Sequence, residues 1–325
     1  MVKKRLRYVF LVFGCWCVFL LSVTAEAHPL FPDSLYDLCF TGERGIAVGY
    51  YGTILVSEDG GNEWKQVPSG TKELLTSLSF PDANHGWVVG TNGTILATSD
   101  GGLTWKSQKS GTSNYLMGVY FVNFQKGWVV GEFGTILHTS DSGVHWQAQE
   151  SGEADLLLEG VRFLDEKRGY VVGEFGTILA TSDGGISWDP ILKSEADVLD
   201  AEAMGKIRPS LYSLDFLDDK IGVAVGIGGY ILRSQDGGET WEEVPSPTTN
   251  HLYRVKAINR DLYAVGLRGT LLISNDQGQH WKLLSLPPQV SFNWYYGIAG
   301  NSGEIFLAGE NGKVLKQQYQ LVEGR

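Results

Sequence analysis

The chain has 325 residues and only three cysteines, ten prolines and six histidines, and its 26 Lys and Arg are outnumbered by 37 Asp and Glu. Two of the cysteines, Cys15 and Cys17, lie in the N-terminal apolar stretch, which leaves Cys39 alone in the body of the chain. A single thiol excludes an intramolecular disulfide framework, dithiol redox chemistry and a cysteine-built zinc site. The histidines are dispersed and form no metal or general-base constellation, so neither a metal nor a cofactor is expected. The shortage of basic residues argues against nucleic acid or an anionic lipid surface as the main partner, since both reward net positive charge.

Only one long apolar run is present, from Tyr8 to Val23, preceded by Lys3, Lys4, Arg5 and Arg7 and followed by Ala25-Glu26-Ala27. A basic start, a short apolar core and a small-x-small site read as a cleavable export signal, with cleavage between Ala27 and His28. Residues 28–325 would then carry 22 Lys and Arg against 36 Asp and Glu, a formal charge of −14. The expected location is the periplasm or an equivalent lumen. Without staples, the exported portion must rely on its core, which a domain of this size can supply.

What the chain has in abundance is glycine (42 residues), tryptophan (10) and repetition. A Gly-x-x-Gly box recurs seven times, its first glycines being Gly49, Gly90, Gly131, Gly173, Gly226, Gly266 and Gly309. The successive spacings are 41, 41, 42, 53, 40 and 43 residues. A Ser/Thr-x-Asp-x-Gly-x-x-Trp box follows the first six, with aspartates Asp59, Asp100, Asp141, Asp183, Asp236 and Asp276 and tryptophans Trp64, Trp105, Trp146, Trp188, Trp241 and Trp281. In the unit at 75–109, strands are expected at 75–80, 87–89, 94–98 and 104–108, with a tight positive-φ turn at Gly90-Thr-Asn-Gly93. Four antiparallel strands per unit with no intervening helix cannot bury both apolar faces alone. Packing seven such sheets around an axis does so, giving an all-β, single seven-bladed β-propeller of four-stranded antiparallel blades.

Two irregularities stand out. The long fourth interval places an insertion at 189–209, with helix-forming composition at 195–204. The seventh unit lacks an Asp/Trp box, so its outer strand must come from residues 317–322 or from the segment around 28–33. The second source would close the ring by strand exchange and is favoured.

Six identical aspartates at equivalent blade positions cannot share one catalytic centre; each is suited to bonding the amides of its own turn, and each tryptophan to packing between sheets. These boxes resemble the Asp box, or bacterial neuraminidase repeat, of sialidases, xyloglucanases and sortilin-type receptors. The pairing of G-W-V-V-G with G-T-I-L-x-T-S-D-G-G-x-T-W at this cadence, behind an export signal, resembles the photosystem II stability/assembly factor family of cyanobacteria and chloroplasts, which has relatives in non-photosynthetic bacteria. That resemblance implies a non-enzymatic scaffold that binds a membrane protein complex or its assembly intermediates. A monomer, associated with the membrane through its partner, is expected.

The family also carries a patch of arginines on one propeller face. Candidates here are Arg208, Arg233, Arg254 and Arg268, with Arg162 and Arg168 in unit four. Arg233 departs from Ala97, His138 and Ala180 at the same repeat position, and Arg268 from Asn92, Phe133 and Phe175. The first strand of each unit is expected to be innermost, which would bring Arg162, Asp215 and Lys256, with Arg254 nearby, to the central channel as a polar cluster. Two alternatives remain open at this level. One is a sialidase-like glycoside hydrolase, for which Asp215 with Glu159 is the available carboxyl pair, although the Arg-Ile-Pro sequence of sialidases is missing. The other is a carbohydrate- or peptide-binding module using Tyr50, Tyr51, Phe133, Phe175, Tyr230 and the run Trp294-Tyr295-Tyr296.

Overall fold

The computed structural model describes residues 34–192, 208–287, 290–291 and 293–318. Among the described residues seven antiparallel sheets are formed, each a simple meander in chain order, six of four strands and the last of three. The expected strands of the 75–109 unit are observed at Leu75–Ser79, Gly86–Gly90, Thr94–Thr98 and Lys106–Lys109. The first strands, Leu35–Thr41, Leu75–Ser79, Leu116–Phe121, Leu158–Phe163, Leu211–Phe216, Leu252–Ile258 and Tyr295–Asn301, neighbour one another in a closed ring. They are the inner strands and line the central channel. Among the described residues no helix is long and apolar enough to cross a membrane.

The ring is held by apolar clusters between blades. Trp87 and Trp128, both fully buried, stack on the Phe121 and Phe163 rings of the next blade with centroids 3.6 and 3.5 Å apart. Each of those phenylalanines is also met edge-on by the box tryptophan of its own blade, an arrangement repeated in five blades at 5.8–6.0 Å. Edge-on contacts at this separation are a favoured aromatic geometry. Residues of the first and last blades share one cluster, with Leu35, Leu38 and Leu55 against Ala299, Phe306 and Ala308.

The boxes do structural work. In each Asp box the Ser or Thr hydroxyl bonds the aspartate and accepts the amide of the second glycine position, as Thr139 does with Asp141 (2.9 Å) and Gly143 (2.8 Å). The same aspartate accepts the amide four residues on, His145 for Asp141 and Ser187 for Asp183, at 2.9 and 3.0 Å. Those amides and side chains hold both carboxyls down at about 2. In the first six glycine boxes the last two residues both take positive φ, for example Asn92 (52°) and Gly93 (62°). A Cβ at Gly93 would stand 2.0 Å from the Thr112 carbonyl oxygen, so only glycine fits. Tyr51, Phe133, Phe175 and Arg268 occupy the position before that glycine at φ 53–55°.

The insertion expected at 189–209 begins with Asp189–Leu192, which is the outer strand of the fourth blade; the expected helix at 195–204 lies outside the described residues. Gln317 and Gln318 belong to the third strand of the last blade, Val314–Gln318. The rest of both segments proposed for the outer strand lies outside the described residues.

Candidate functional site: the two mouths of the channel

The inner strands all start at one end of the channel and finish at the other. The Gly-x-x-Gly turns flank their beginnings, where Tyr50 N–H donates to Ser34 C=O and Leu267 N–H to His251 C=O. The Asp boxes flank their ends, where Gly101 N–H donates to Asn84 C=O and Gly184 N–H to Lys167 C=O.

At the end of the strands a cavity of about 640 Å3 opens, lined by Asp37, Cys39, Arg162, Asp215, Arg254 and Lys256 among others. Inner strands of adjacent blades share no ladder, so side chains bridge their free amides. Asp215 accepts the amides of Phe216 and, across the blade gap, Ala257, both at 3.0 Å. Asp37 likewise accepts the Leu38 amide (3.0 Å) and the Leu78 amide of the next blade (3.1 Å), and Ser79 Oγ that of Phe121. Arg162 Nε stands 3.0 Å from Asp215 Oδ1 and Lys256 Nζ 3.6 Å from Oδ2. The Arg162 N–H makes no formed hydrogen bond, so this contact is one of charge. Arg162 also lies over the Tyr120 ring at 4.6 Å. Arg254 reaches across the last blade to Asp37 at 3.3 Å, over Gly297, where a Cβ would stand 3.0 Å from the Asp37 backbone.

Burial alone would raise the Asp215 carboxyl. Lys256 and Arg162, helped by the two amides, outweigh it and hold it below the ordinary range. Burial drives the Cys39 thiol well up, away from reactivity. Three cations face two carboxylates that are already bonded to backbone amides, and Lys256, with a side chain 45% exposed, presents the surplus positive charge to the cavity. This is the basic mouth.

At the opposite mouth lie the second residues of the inner strands. Tyr212, Tyr253, Tyr296 and Tyr36, from four consecutive blades, contact one another in an unbroken arc with centroid separations of 5.6, 5.0 and 4.7 Å, the first two pairs tilted and the last stacked. Glu159 holds the same position on the fourth blade. Burial, with Glu174 nearby, pushes its carboxyl up to about 7 despite the opposing pull of Arg254.

The six candidate arginines do not form one patch. Arg162 and Arg254 both line the basic mouth, and Arg168 lies in the turn after the fourth inner strand, bound to Asp165 at 2.7 Å. Arg208 and Arg268 lie on the tyrosine face, Arg208 against Gly176 and Arg268 exposed in its turn. Arg233 is 2% exposed and is part of the blade packing. Three blades tie themselves to the next blade's Asp-box turn through a second-strand ring: Trp87 to Ser142, Trp128 to Gly184 and Tyr170 to Gly237 carbonyls. The fifth blade has Val223 there, and Arg233 Nε makes the equivalent bond to Gln277 C=O at 2.7 Å. Arg44 does so for the first blade, to Asp100 C=O, and Lys316 reaches Asn62 from the last.

Sequence reasoning brought Arg162, Asp215 and Lys256 together, and the structure does the same. It missed Asp37 and the tyrosine arc. The recurring Leu-Tyr at 35–36, 211–212 and 252–253, with Tyr-Tyr at 295–296, was the available signal. Of the exposed-aromatic candidates, Tyr50, Tyr51, Phe133, Phe175 and Trp294 face solvent, whereas Tyr230 packs between blades and Tyr295 is buried.

These features define an Asp-box β-propeller whose channel offers two chemically distinct mouths. The chain belongs to the family of the photosystem II assembly factor YCF48, whose model matches residues 62–154 and 145–247. Similar solved structures include YCF48 bound to a D1 peptide, 22% identical at a TM-score of 0.69, covering 90% of this chain and 93% of that one. YCF48 from Cyanidioschyzon merolae is 20% identical at 0.68, covering 89% and 96%. The GH74 xyloglucanase from Xanthomonas campestris is 14% identical at 0.66, covering 88% of this chain and 52% of the enzyme. No curated protein sequence matches the chain.

Proposed function

We propose that this protein is an exported, non-catalytic propeller that holds a segment of a membrane protein complex and assists its assembly or stability. Membership of the YCF48 family carries this reading. A structural relative, YCF48 bound to a D1 peptide, supports a peptide as the kind of ligand held. The basic mouth is the surface suited to a carboxylate-bearing segment, because Lys256, Arg162 and Arg254 exceed the two aspartates that face them. Arg168, on the same face but outside the cavity lining, has its charge shared with Asp165; Arg208 and Arg268 are on the opposite face. Enzymatic hydrolysis is disfavoured by geometry: Asp215 lies at the basic mouth, 3% exposed and bonded, while Glu159 lies at the opposite one. The expected site of action is the periplasm or an equivalent lumen, reached through cleavage after Ala27.

The test is affinity purification of the tagged chain from solubilised native membranes, with mass spectrometry of what is retained. Enrichment of the subunits of one membrane complex by the wild type, and its loss on Lys256→Glu, is the expected result. Turnover of a sialoside or β-glucan that disappears in Asp215→Ala and Glu159→Ala would overturn the reading.

A further inference from the structure

The tyrosine mouth has no part in the reading above, yet it is built as a site. The arc of four contacting rings leaves each tyrosine half-buried, and Trp294 extends it edge-on from Tyr296 at 6.4 Å, itself 40% exposed. Glu159 faces this arc and accepts no hydrogen bond from any described residue, although every other acidic side chain on the inner strands is bonded to amides. The carboxylates on the flanking turns are engaged: Glu132, Glu174 and Glu310 each accept the amide that precedes the inner strand of the same blade, at 3.0, 3.0 and 3.3 Å. They still make the surroundings electronegative, and Glu310 and Glu159 act on Tyr253, Tyr296 and Tyr212 in that sense.

The cations of this face do not fill the mouth. Lys72 lies over Tyr51, and Arg208 lies against Gly176 and near Tyr230. Arg268 stands on its outer turn. Among the described residues Arg254 alone acts on Glu159 as a cation, and its guanidinium is held one layer deeper by Asp37 and the Tyr296 carbonyl. An aromatic surface with a negative ring face, next to a carboxyl that lacks a donor, complements a positive charge.

The face continues outward as a surface. Tyr51, Phe133 and Phe175 are exposed at 51, 65 and 37% while held at positive φ, a strained conformation for a bulky residue. Such strain, at positions where glycine also fits and does occur as Gly228, keeps large apolar side chains in solvent around the mouth. That is the arrangement for contacting a chain longer than one residue.

We propose that the tyrosine mouth binds a cationic side chain, arginine or lysine, of a partner segment, with its charged head against Glu159 and its stem on the Tyr212–Tyr253–Tyr296–Tyr36 arc. The segment on either side would lie over the exposed aromatics of the turns. This site is distinct from the basic mouth, and one can fail without the other. Binding would draw the proton off the raised Glu159 carboxyl, with Glu174, Arg254, Tyr115 and Tyr212 the other titratable groups acting there or acted on by it.

The purified full chain is titrated with a capped Gly/Ser peptide carrying a central arginine, and with its neutral citrulline and acidic glutamate counterparts, by calorimetry and tyrosine fluorescence. The arginine peptide is expected to bind about fivefold or more tightly than the citrulline one. Glu159→Gln is expected to bring the arginine peptide down to the citrulline level with the near-ultraviolet circular dichroism unchanged. Tyr253→Phe, which keeps the ring, should retain binding, and Tyr253→Leu should weaken both peptides. Equal binding of arginine and citrulline, unchanged arginine binding in Glu159→Gln, or no arginine binding at millimolar peptide would overturn the proposal. So would stronger retention of a neutral oligosaccharide that survives Glu159→Gln.

Discussion

The two mouths of the channel are built from the same seven strands and use charge in opposite ways. At the basic mouth Asp37 and Asp215 bridge amides of adjacent blades and hold Arg254, Arg162 and Lys256; charge there serves the ring first and leaves a small positive surplus. At the tyrosine mouth the acid is left without a donor among the described residues and the rings pack on one another. A polar group spent on closure is costly to remove, whereas one held in reserve is costly to keep.

The largest expected effect breaks the first half of that contrast. Asp215→Ala leaves Arg162 without its counter-ion and two amides without an acceptor, and should cost about 3–5 kcal/mol in chemical denaturation. A loss below about 1 kcal/mol would mean the carboxylate is not part of the frame. Next, two arginines with similar claims in the sequence should separate. Arg233→Ala removes a charged donor from the Gln277 carbonyl and should cost about 1.5–3 kcal/mol. Arg268→Gly relieves a positive-φ side chain and should change the stability by no more than about 1 kcal/mol, towards stabilisation.

The tyrosine mouth gives a pH-dependent prediction. The folded-state carboxyl of Glu159 is raised to about 7, so the folded state binds its proton more tightly than the unfolded chain. Stability therefore falls as pH rises from the ordinary glutamate range through 7, where the buried group must ionise. Glu159→Gln should match the wild type near pH 4 and exceed it by on the order of 1–3 kcal/mol at pH 8, measured by urea denaturation at both values. Equal stability at both would show the carboxyl to be well solvated. The smallest effect belongs to the rim: Phe133→Gly should stabilise by about 0.5–1 kcal/mol, while weakening any partner that uses the tyrosine face.

Most of the frame was legible because each blade repeats the same local solutions. Gly-x-x-Gly forces a positive-φ turn, and Ser/Thr-x-Asp places a carboxylate over its own amides, so blade number and inner strands followed from spacing. Arg162, Asp215 and Lys256 were legible as charges on strands that must face one another. Arg233 was not, because its role depends on what another strand lacks: only with Val223 seen in the place of Trp87, Trp128 and Tyr170 does the guanidinium read as a replacement tie. The tyrosine arc was hidden for a related reason. Its residues are 41 or more positions apart, and only the closed ring makes neighbours of Tyr36 and Tyr296.

The most direct measurement takes one variant from each mouth and one peptide of each charge. Binding of the glutamate peptide and of the arginine peptide is measured on the wild type, Lys256→Glu and Glu159→Gln. Independent mouths of opposite preference predict that Lys256→Glu abolishes glutamate-peptide binding alone and Glu159→Gln weakens arginine-peptide binding alone. A single variant that abolishes both, or two variants that change neither, would contradict the account.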